Sequence, residues 1–457
     1  MTSWKTIPAD LWDVAVVGGG PAGMTAAMAA ARAGAAVVLL ERGERPGKKL
    51  LMTGNGKCNL GNRDLKPSYY YSDNMAMAAS VLERFGTEET MAFFASLGLL
   101  VRERRGGLYP ASEQAAVVLD ALRYGLAREG VTILPQAMVR GLSLADKPAS
   151  VYLVELEDGR RIRARRVVLA CGGQAAPRTG SDGSGYELAR SLGHRVISPV
   201  PALVQLHCGE KYCKALAGVR AEGVVRLYGV SRPGTGRGGD GPGRKSSGCP
   251  GKSSRPLEKK REERLLEETG EIQFTEHGIS GIPVFQLSGG ANQLLAQGWK
   301  LRAELDFFPG YEEDTYERLC RGRLEQADWG TVEMFFTGML HKKIMQVCIR
   351  EAGLSPEQEA AGADREKLRR VFALCRKLPF TVTGSHPFDS AQVCRGGVSM
   401  KEVDGQLQSR HSPGLYLAGE LLHVDGRCGG YNLQWAWASG YIAGSAAGTV
   451  NGITQSV

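Results

Sequence analysis

Asp13-Val14-Ala15-Val16-Val17-Gly18-Gly19-Gly20-Pro21-Ala22-Gly23, followed after an alanine-rich run by Val37-Val38-Leu39-Leu40-Glu41, reads as a strand, a glycine turn, a helix and a second strand ending in an acid. In that context the three spaced glycines have separate tasks. Gly18 permits the tight turn, Gly20 lets a pyrophosphate approach the backbone, and Gly23 lets helix and strand pack closely. The helix start offers unpaired N–H groups and the positive end of a dipole, so an anion is expected there. Glu41, at the carboxyl end of the second strand, is placed to accept hydrogen bonds from both hydroxyls of an adenosine ribose and would repel a 2′-phosphate. The same spelling at Gly234, Gly236 and Gly239 has no apolar strand before it and no helix-forming run after it, and reads as chance.

A chain of 457 residues is long enough for two or three domains and a sizeable core. Its 43% hydrophobic and 23% charged fractions suit a globular protein. Ten cysteines without CxxC spacing read as reduced thiols, and seven histidines without an HExxH or clustered pattern give no reason to expect a protein-ligated metal. Residues 1–11 lack the charged-then-apolar pattern of a leader, and no uncharged apolar run approaches the ~20 residues needed to span a bilayer. A cytoplasmic protein without a membrane partner is the expectation. The formal charge of +9 is concentrated in Ser231 to Arg264, where ten Lys/Arg meet four Asp/Glu for a net of +6. With eight glycines, four prolines and almost no apolar residues, that segment reads as a disordered basic loop, either simply solvated or a tether for RNA.

The remaining order is legible in part. Apolar residues recur at helical spacing over Glu88–Leu100 and Glu113–Arg128. Val151–Leu156 and Arg161–Arg166 alternate around Asp158-Gly159 as a hairpin, and the separate apolar run Val167–Ala170 leads into Cys171-Gly172-Gly173, again bringing backbone near a ligand. From about Ser198 the character changes. Short strand signals at Leu203–Leu206, Val224–Tyr228 and Ile272–Phe274 precede helical patterns over Asp314–Glu325, Thr331–Glu351 and Glu357–Arg376. After Pro379 the chain returns to cofactor-like patterns: Leu415-Tyr416-Leu417-Ala418-Gly419-Glu420 is a strand ending in Gly and an acid, and Gly429-Gly430-Tyr431-Asn432-Leu433 opens a helix whose N–H groups suit the edge of a flavin that becomes negative on reduction. The fold expected is α/β: a discontinuous Rossmann-like FAD-binding domain (1–197 and 380–457) holding an inserted β-plus-helical substrate domain (198–379).

Three stretches carry a resemblance: Gly18–Gly23 with Glu41, Lys49-Leu50-Leu51 through Gly56-Lys57-Cys58-Asn59, and Gly419-Glu420 with Asp425-Gly426 and Gly429–Leu433. Together they resemble the FAD-dependent flavoproteins typified by the 3-dehydro-bile acid delta(4,6)-reductase, also known as aminoacetone-oxidase-like. The resemblance implies FAD contacts at Gly18, Gly20, Ala22, Gly23, Glu41, Arg42, Lys49, Val139, Gly173, Gly419, Asn432 and Leu433. Two positions depart from the family pattern. Lys57 stands where Arg is usual, which keeps the charge and loses the bidentate fork, and His423 stands where Asp is usual.

The activity implied is reduction of an electron-poor C=C bond in a small substrate such as a bile-acid or steroid enone, with FAD supplying the chemistry and NAD(P)H a candidate electron source. Tyr431, His423 and Cys58, in that order, are the candidate proton donors. Competing readings are reduction of uridine to dihydrouridine in ribosomal RNA, an amine oxidase using O2, and a flavin-bound RNA-binding protein without turnover. Oligomeric state is not legible.

Overall fold

The computed structural model describes residues 11–145, 151–230, 263–325 and 330–449. The chain divides into two compact units, Met1–Leu203 with Pro387–Val457, and Val204–His386.

The first unit is built on a seven-stranded sheet. Its parallel core runs in the order Thr132–Leu134, Val37–Leu40, Trp12–Val17, Arg161–Leu169, with Leu415–Leu417 also parallel to the last. The hydrophobic side chains of Val14 to Val17 and Val37 to Leu40 are buried on both faces, as the unbroken apolar runs require. Arg161–Leu169 is one strand rather than a hairpin arm followed by a separate apolar strand. Its first half pairs antiparallel with Val151–Leu156, which continues to Val139–Ala145, while its second half pairs with Leu415–Leu417. The switch from alternating to continuous apolar residues records that change of partner within one strand.

Helix Pro21–Arg32 packs on the C-terminal helix Tyr431–Gly448 through a stripe of small residues. A Cβ at Gly440, Gly444 or Gly448 would sit 2.3, 2.2 or 2.5 Å from the carbonyl oxygens of Ala22, Ala26 and Ala30, so the two backbones touch where side chains would otherwise hold them apart. The helix Met75–Arg84, capped by Asn74, carries no strong sequence signal and completes this core with Ala78, Val81 and Leu82.

The second unit contains a closed barrel of six strands: Leu206–Cys208, Gly278–Ser280, Glu263–Thr275, Arg220–Val230, Lys300–Asp306 and Leu378–Ser385, the last returning to the first. The final strand thus runs on past Pro379. Helix Ile282–Ala296 carries Gly289-Gly290 in its interior; Ser288, Gly289, Gly290 and Ala291 are buried, so small size is what that packing needs. The run Thr331–Glu351 is two helices, Val332–Phe336 and Lys342–Glu351, because Gly338 at φ +88° ends the first and the His341 side chain caps the second. Of Glu357–Arg376 only Arg365–Arg376 is helical, started by the Asp364 cap. The basic segment lies outside the described residues, as do its three spaced glycines and residues 1–10; its last two members, Glu263 and Arg264, are strand residues paired with Gly229 and Tyr228. Among the described residues no helix is long and apolar enough to cross a membrane.

Candidate functional site

At the glycine turn the three positions separate by what surrounds them. A Cβ on Gly18 would lie 2.5 Å from the Ala170 carbonyl oxygen, and one on Gly23 would lie 1.8 Å from that of Gly18, so both are glycine for the fold itself. A Cβ on Gly20 would meet none of the described residues beyond its chain neighbours within 4 Å. Open space there, beside the N–H groups of the first turn of Pro21–Arg32, is what an approaching phosphate needs. Glu41 is oriented by two backbone donors: Gly19 N–H gives to Oε2 at 2.9 Å and Gly43 N–H to Oε1 at 2.6 Å. Each carboxylate oxygen keeps accepting capacity for a ribose hydroxyl. Ala137 N–H donates to the Glu41 carbonyl and Gln136 N–H to that of Gly43, which brings the start of the Val139 strand beside the same turn. Arg42 is ion-paired with Asp182 at 2.5 Å.

The other end is assembled from four segments. Lys49 Nζ meets Glu420 Oε2 at 2.8 Å, and Glu420 Oε1 accepts from Cys394 N–H at 2.9 Å. A Cβ on Gly173 would lie 3.0 Å from the Glu420 carboxyl. Gly419, at φ +72°, donates its N–H to Ser439 and accepts from the Trp435 indole at its carbonyl, so the C-terminal helix holds the peptide groups on both sides of that residue. Gly54, Asn55, Gly56 and Cys58 all have positive φ between +53° and +80°. Two of these are not glycine, which marks a backbone held in a disfavoured conformation by its surroundings. Asn432 clasps Gly426 from both sides, accepting its N–H at 2.9 Å and donating to its carbonyl at 2.8 Å. The N–H groups of Asn432 and Leu433 fall in the first turn of Tyr431–Gly448, where no intrahelical acceptor exists.

The expected cofactor contacts thus fall within one unit. Open backbone at Gly20, an oriented ribose acceptor at Glu41, two helix starts and the buried Oδ1 of Asn59, which has no hydrogen-bond partner among the described residues, fit FAD.

The proton-transfer candidates occupy different environments. Cys58 is fully buried, its thiol pushed up to about 12 by burial, so it stays protonated and is a poor nucleophile. His423 is 2% exposed, and burial pushes its ring down to about 4; both ring nitrogens lack a hydrogen-bond partner among the described residues, with Asp73 at 3.7 Å. The ring is neutral near pH 7. Tyr431 packs its ring against Tyr69 and Tyr70 and donates its hydroxyl to the Asp64 carbonyl at 3.1 Å. Burial raises its phenol, which keeps the proton.

A cluster that sequence reasoning passed over lies between these segments. Arg395, on strand Val393–Val398, grips buried Asp425 with Nε at 3.1 Å from each carboxylate oxygen and Nη2 at 2.8 Å from Oδ2. Its guanidinium carbon stands 4.1 Å from the centre of the Tyr71 ring. Tyr71 and Asp425 are register partners on the paired strands Tyr70–Ser72 and Val424–Gly426. The available signal was one arginine inside the small-residue run Val-Cys-Arg-Gly-Gly-Val.

His194, Glu402 and His411 also converge, with Glu402 Oε2 3.3 and 3.4 Å from the two rings. Ser409 argues for a hydrogen-bonded brace here. Its Oγ accepts from His411 N–H and Ser412 N–H, filling both lone pairs, so its proton goes to His194 Nε2 at 2.9 Å. The neutral ring then carries its own proton on Nδ1, facing Glu402, where a metal would need a lone pair.

The model of the HI0933-like protein Rossmann domain matches residues 12–446. The chain is 41% identical over 440 residues to a 3-dehydro-bile acid delta(4,6)-reductase of Clostridium scindens, covering 95% of this chain and 98% of that protein. It is 26% identical to ribosomal RNA dihydrouridine synthases of Haemophilus influenzae and Escherichia coli, over 93% and 94% of this chain and 96% of each relative. The glycine turn, the Gly419-Glu420 strand end and the Tyr431–Gly448 helix start all fall inside the matched span, and the chain belongs to the HI0933-like Rossmann-domain family.

Proposed function

We propose that this protein is an FAD-dependent oxidoreductase that reduces a C=C bond conjugated to a carbonyl, with a steroid-like enone as substrate class and NADH or NADPH as electron source. The observation that carries the reading is the near full-length 41% identity to the bile-acid reductase. Bound FAD supplies hydride transfer. The chain's own residues divide the remaining work. Gly20 and the Pro21–Arg32 helix start would receive the pyrophosphate, Glu41 would bind the ribose, and Lys49, Gly173, Gly419, Asn432 and Leu433 would hold the flavin end. Helix-start N–H groups at Asn432 and Leu433 favour negative charge without rearrangement. Tyr431 delivers the proton, leaving the Asp64 carbonyl to do so. The setting is cytoplasmic, where nicotinamide donors are abundant.

Full-length similarity to the two dihydrouridine synthases supports a second reading, reduction of uracil in ribosomal RNA, with the basic segment 231–264 as the RNA tether. One anaerobic experiment separates the readings. The purified protein is reduced, then mixed with an enone steroid, unmodified ribosomal RNA, or air. Recovery of the oxidised spectrum by the enone supports the first reading. Recovery by RNA alone supports the second, and recovery only by air, with amine turnover, replaces both.

A further inference from the structure

We propose that Arg395 is a catalytic residue that holds the substrate's carbonyl oxygen, the atom that becomes negative when the conjugated double bond is reduced. The inference rests on the reading of this protein as a reducer of conjugated C=C bonds, and applies equally to an enone and to uracil.

The argument begins with the hydrogen-bond inventory of one side chain. A guanidinium has five N–H groups in a rigid plane. Asp425 engages Nε and Nη2, and among the described residues Nη1 has no acceptor. Tyr71 covers one face of the plane, so the group cannot swing towards a new partner without losing both the stack and the bidentate pair. About 15% of the Arg395 side chain remains exposed although Asp425 is 4% exposed. The pair is therefore one-sided: the carboxylate is sealed in, and the free edge of the cation is what a ligand meets.

Position supplies the second step. Arg395 follows Cys394, whose N–H is held by Glu420, the partner of Lys49; Asp425 precedes Gly426, which Asn432 clasps. The residue is thus fixed between the two segments expected to carry the flavin ring. A structural arginine that only neutralised Asp425 would need neither a free edge nor this location.

The chemistry has a matching demand. A hydride supplied by the bound flavin adds to the far carbon of C=C–C=O and forms the new C–H bond. The π electron pair moves through the conjugated system to the oxygen, giving an enolate. A proton then adds to the near carbon, and the C=O bond is restored. Negative charge appears on the oxygen between those events, and a fixed cationic N–H stabilises it with no reorganisation.

The test compares Arg395→Lys with the pair Arg395→Gln/Asp425→Asn, which leaves no lone buried charge. Retained FAD spectrum and urea midpoint establish that each variant is folded. Single-turnover reduction of an enone steroid is expected to slow about 100- to 1,000-fold in the double variant, the scale for loss of one oxyanion donor, with partial rescue in Arg395→Lys. A second readout needs no turnover: a steroid with a phenolic ring, followed by its ultraviolet spectrum, should ionise on the wild-type protein at lower pH than in solution, and should not do so on the double variant. Unchanged turnover and unchanged phenol ionisation in the double variant overturn the role of Arg395 and leave the enone reading standing. A wild-type protein that reduces no enone but ionises the phenol through Arg395 overturns the enone reading and supports the oxyanion role.

Discussion

Lys49 Nζ lies 2.8 Å from Glu420 Oε2, an ion pair between residues 371 positions apart in the chain. It joins the loop after the opening βαβ unit to the strand end that returns the chain to the cofactor. With side chains only 25% and 20% exposed, water screens this pair incompletely. Lys49→Met and Glu420→Gln should therefore be non-additive, with a coupling of about 1 kcal/mol in a double-mutant cycle of urea unfolding. Additive losses would mean that the two side chains act independently.

Gly20→Val should leave the fold intact and abolish the flavin spectrum, because its added atoms enter space that no protein atom occupies. Gly23→Ala should instead fail to give folded protein, since its Cβ would sit 1.8 Å from a backbone oxygen. Circular dichroism and visible absorbance of both variants check the contrast. Full flavin content in Gly20→Val would sink the assignment of the phosphate site.

His423 predicts an acid-side loss of stability. Its folded value is about 4 against an ordinary 6.5, chiefly through burial, with Asp73 opposing the shift and Arg395 adding to it. Between those values the unfolded chain binds the proton and the folded protein does not. Stability therefore falls as pH drops from about 6.5 to 4, by about 3 kcal/mol in all, and this contribution levels off below. His194, shifted in the same direction, adds to the slope. Urea midpoints at pH 7 and pH 4.5 should converge in His423→Asn relative to wild type; an equal gap in both proteins would remove His423 as the cause.

Tyr431→Phe should keep FAD and its reduction and slow the enone step about 100-fold, the scale for loss of a general acid. Rapid mixing of each half-reaction separates the two effects. Equal enone rates would leave the hydroxyl with only its structural bond to Asp64.

The nucleotide end was legible because its information is local. Gly18, Gly20, Gly23 and Glu41 are spaced by the geometry of one turn and two parallel strands, and the apolar runs are short and unbroken. The ring end was legible only where glycine marks a turn or a helix start, as at Gly419 and Gly430. Asp425 was read only as part of a motif, and its relation to Tyr71 and Arg395 escaped because the first is made by strand pairing across more than three hundred residues and the second by side chains on two separate strands, which leaves no periodic trace. The barrel escaped for the same reason: Leu206–Cys208 and Leu378–Ser385 are hydrogen-bonded neighbours from opposite ends of the insertion. Helix Ile282–Ala296 went unread for a different reason: Gly289 and Gly290 lower helix propensity, and only the packing shows that their small size is required.

The glycine stripe of Gly440, Gly444 and Gly448 on Ala22, Ala26 and Ala30 also sets a timetable. A ribosome releases the whole span Val204–His386 before residue 431 exists, so the barrel strands are all present while the nucleotide-binding unit still lacks the helix that seats against its own first helix. The opening turn must wait, exposing the Ala22–Ala30 face, until its counterpart emerges. A nascent chain arrested short of residue 431 should carry every glycine of the phosphate turn and still fail to retain flavin, because it lacks both the second helix start and the clasp of Asn432 on Gly426.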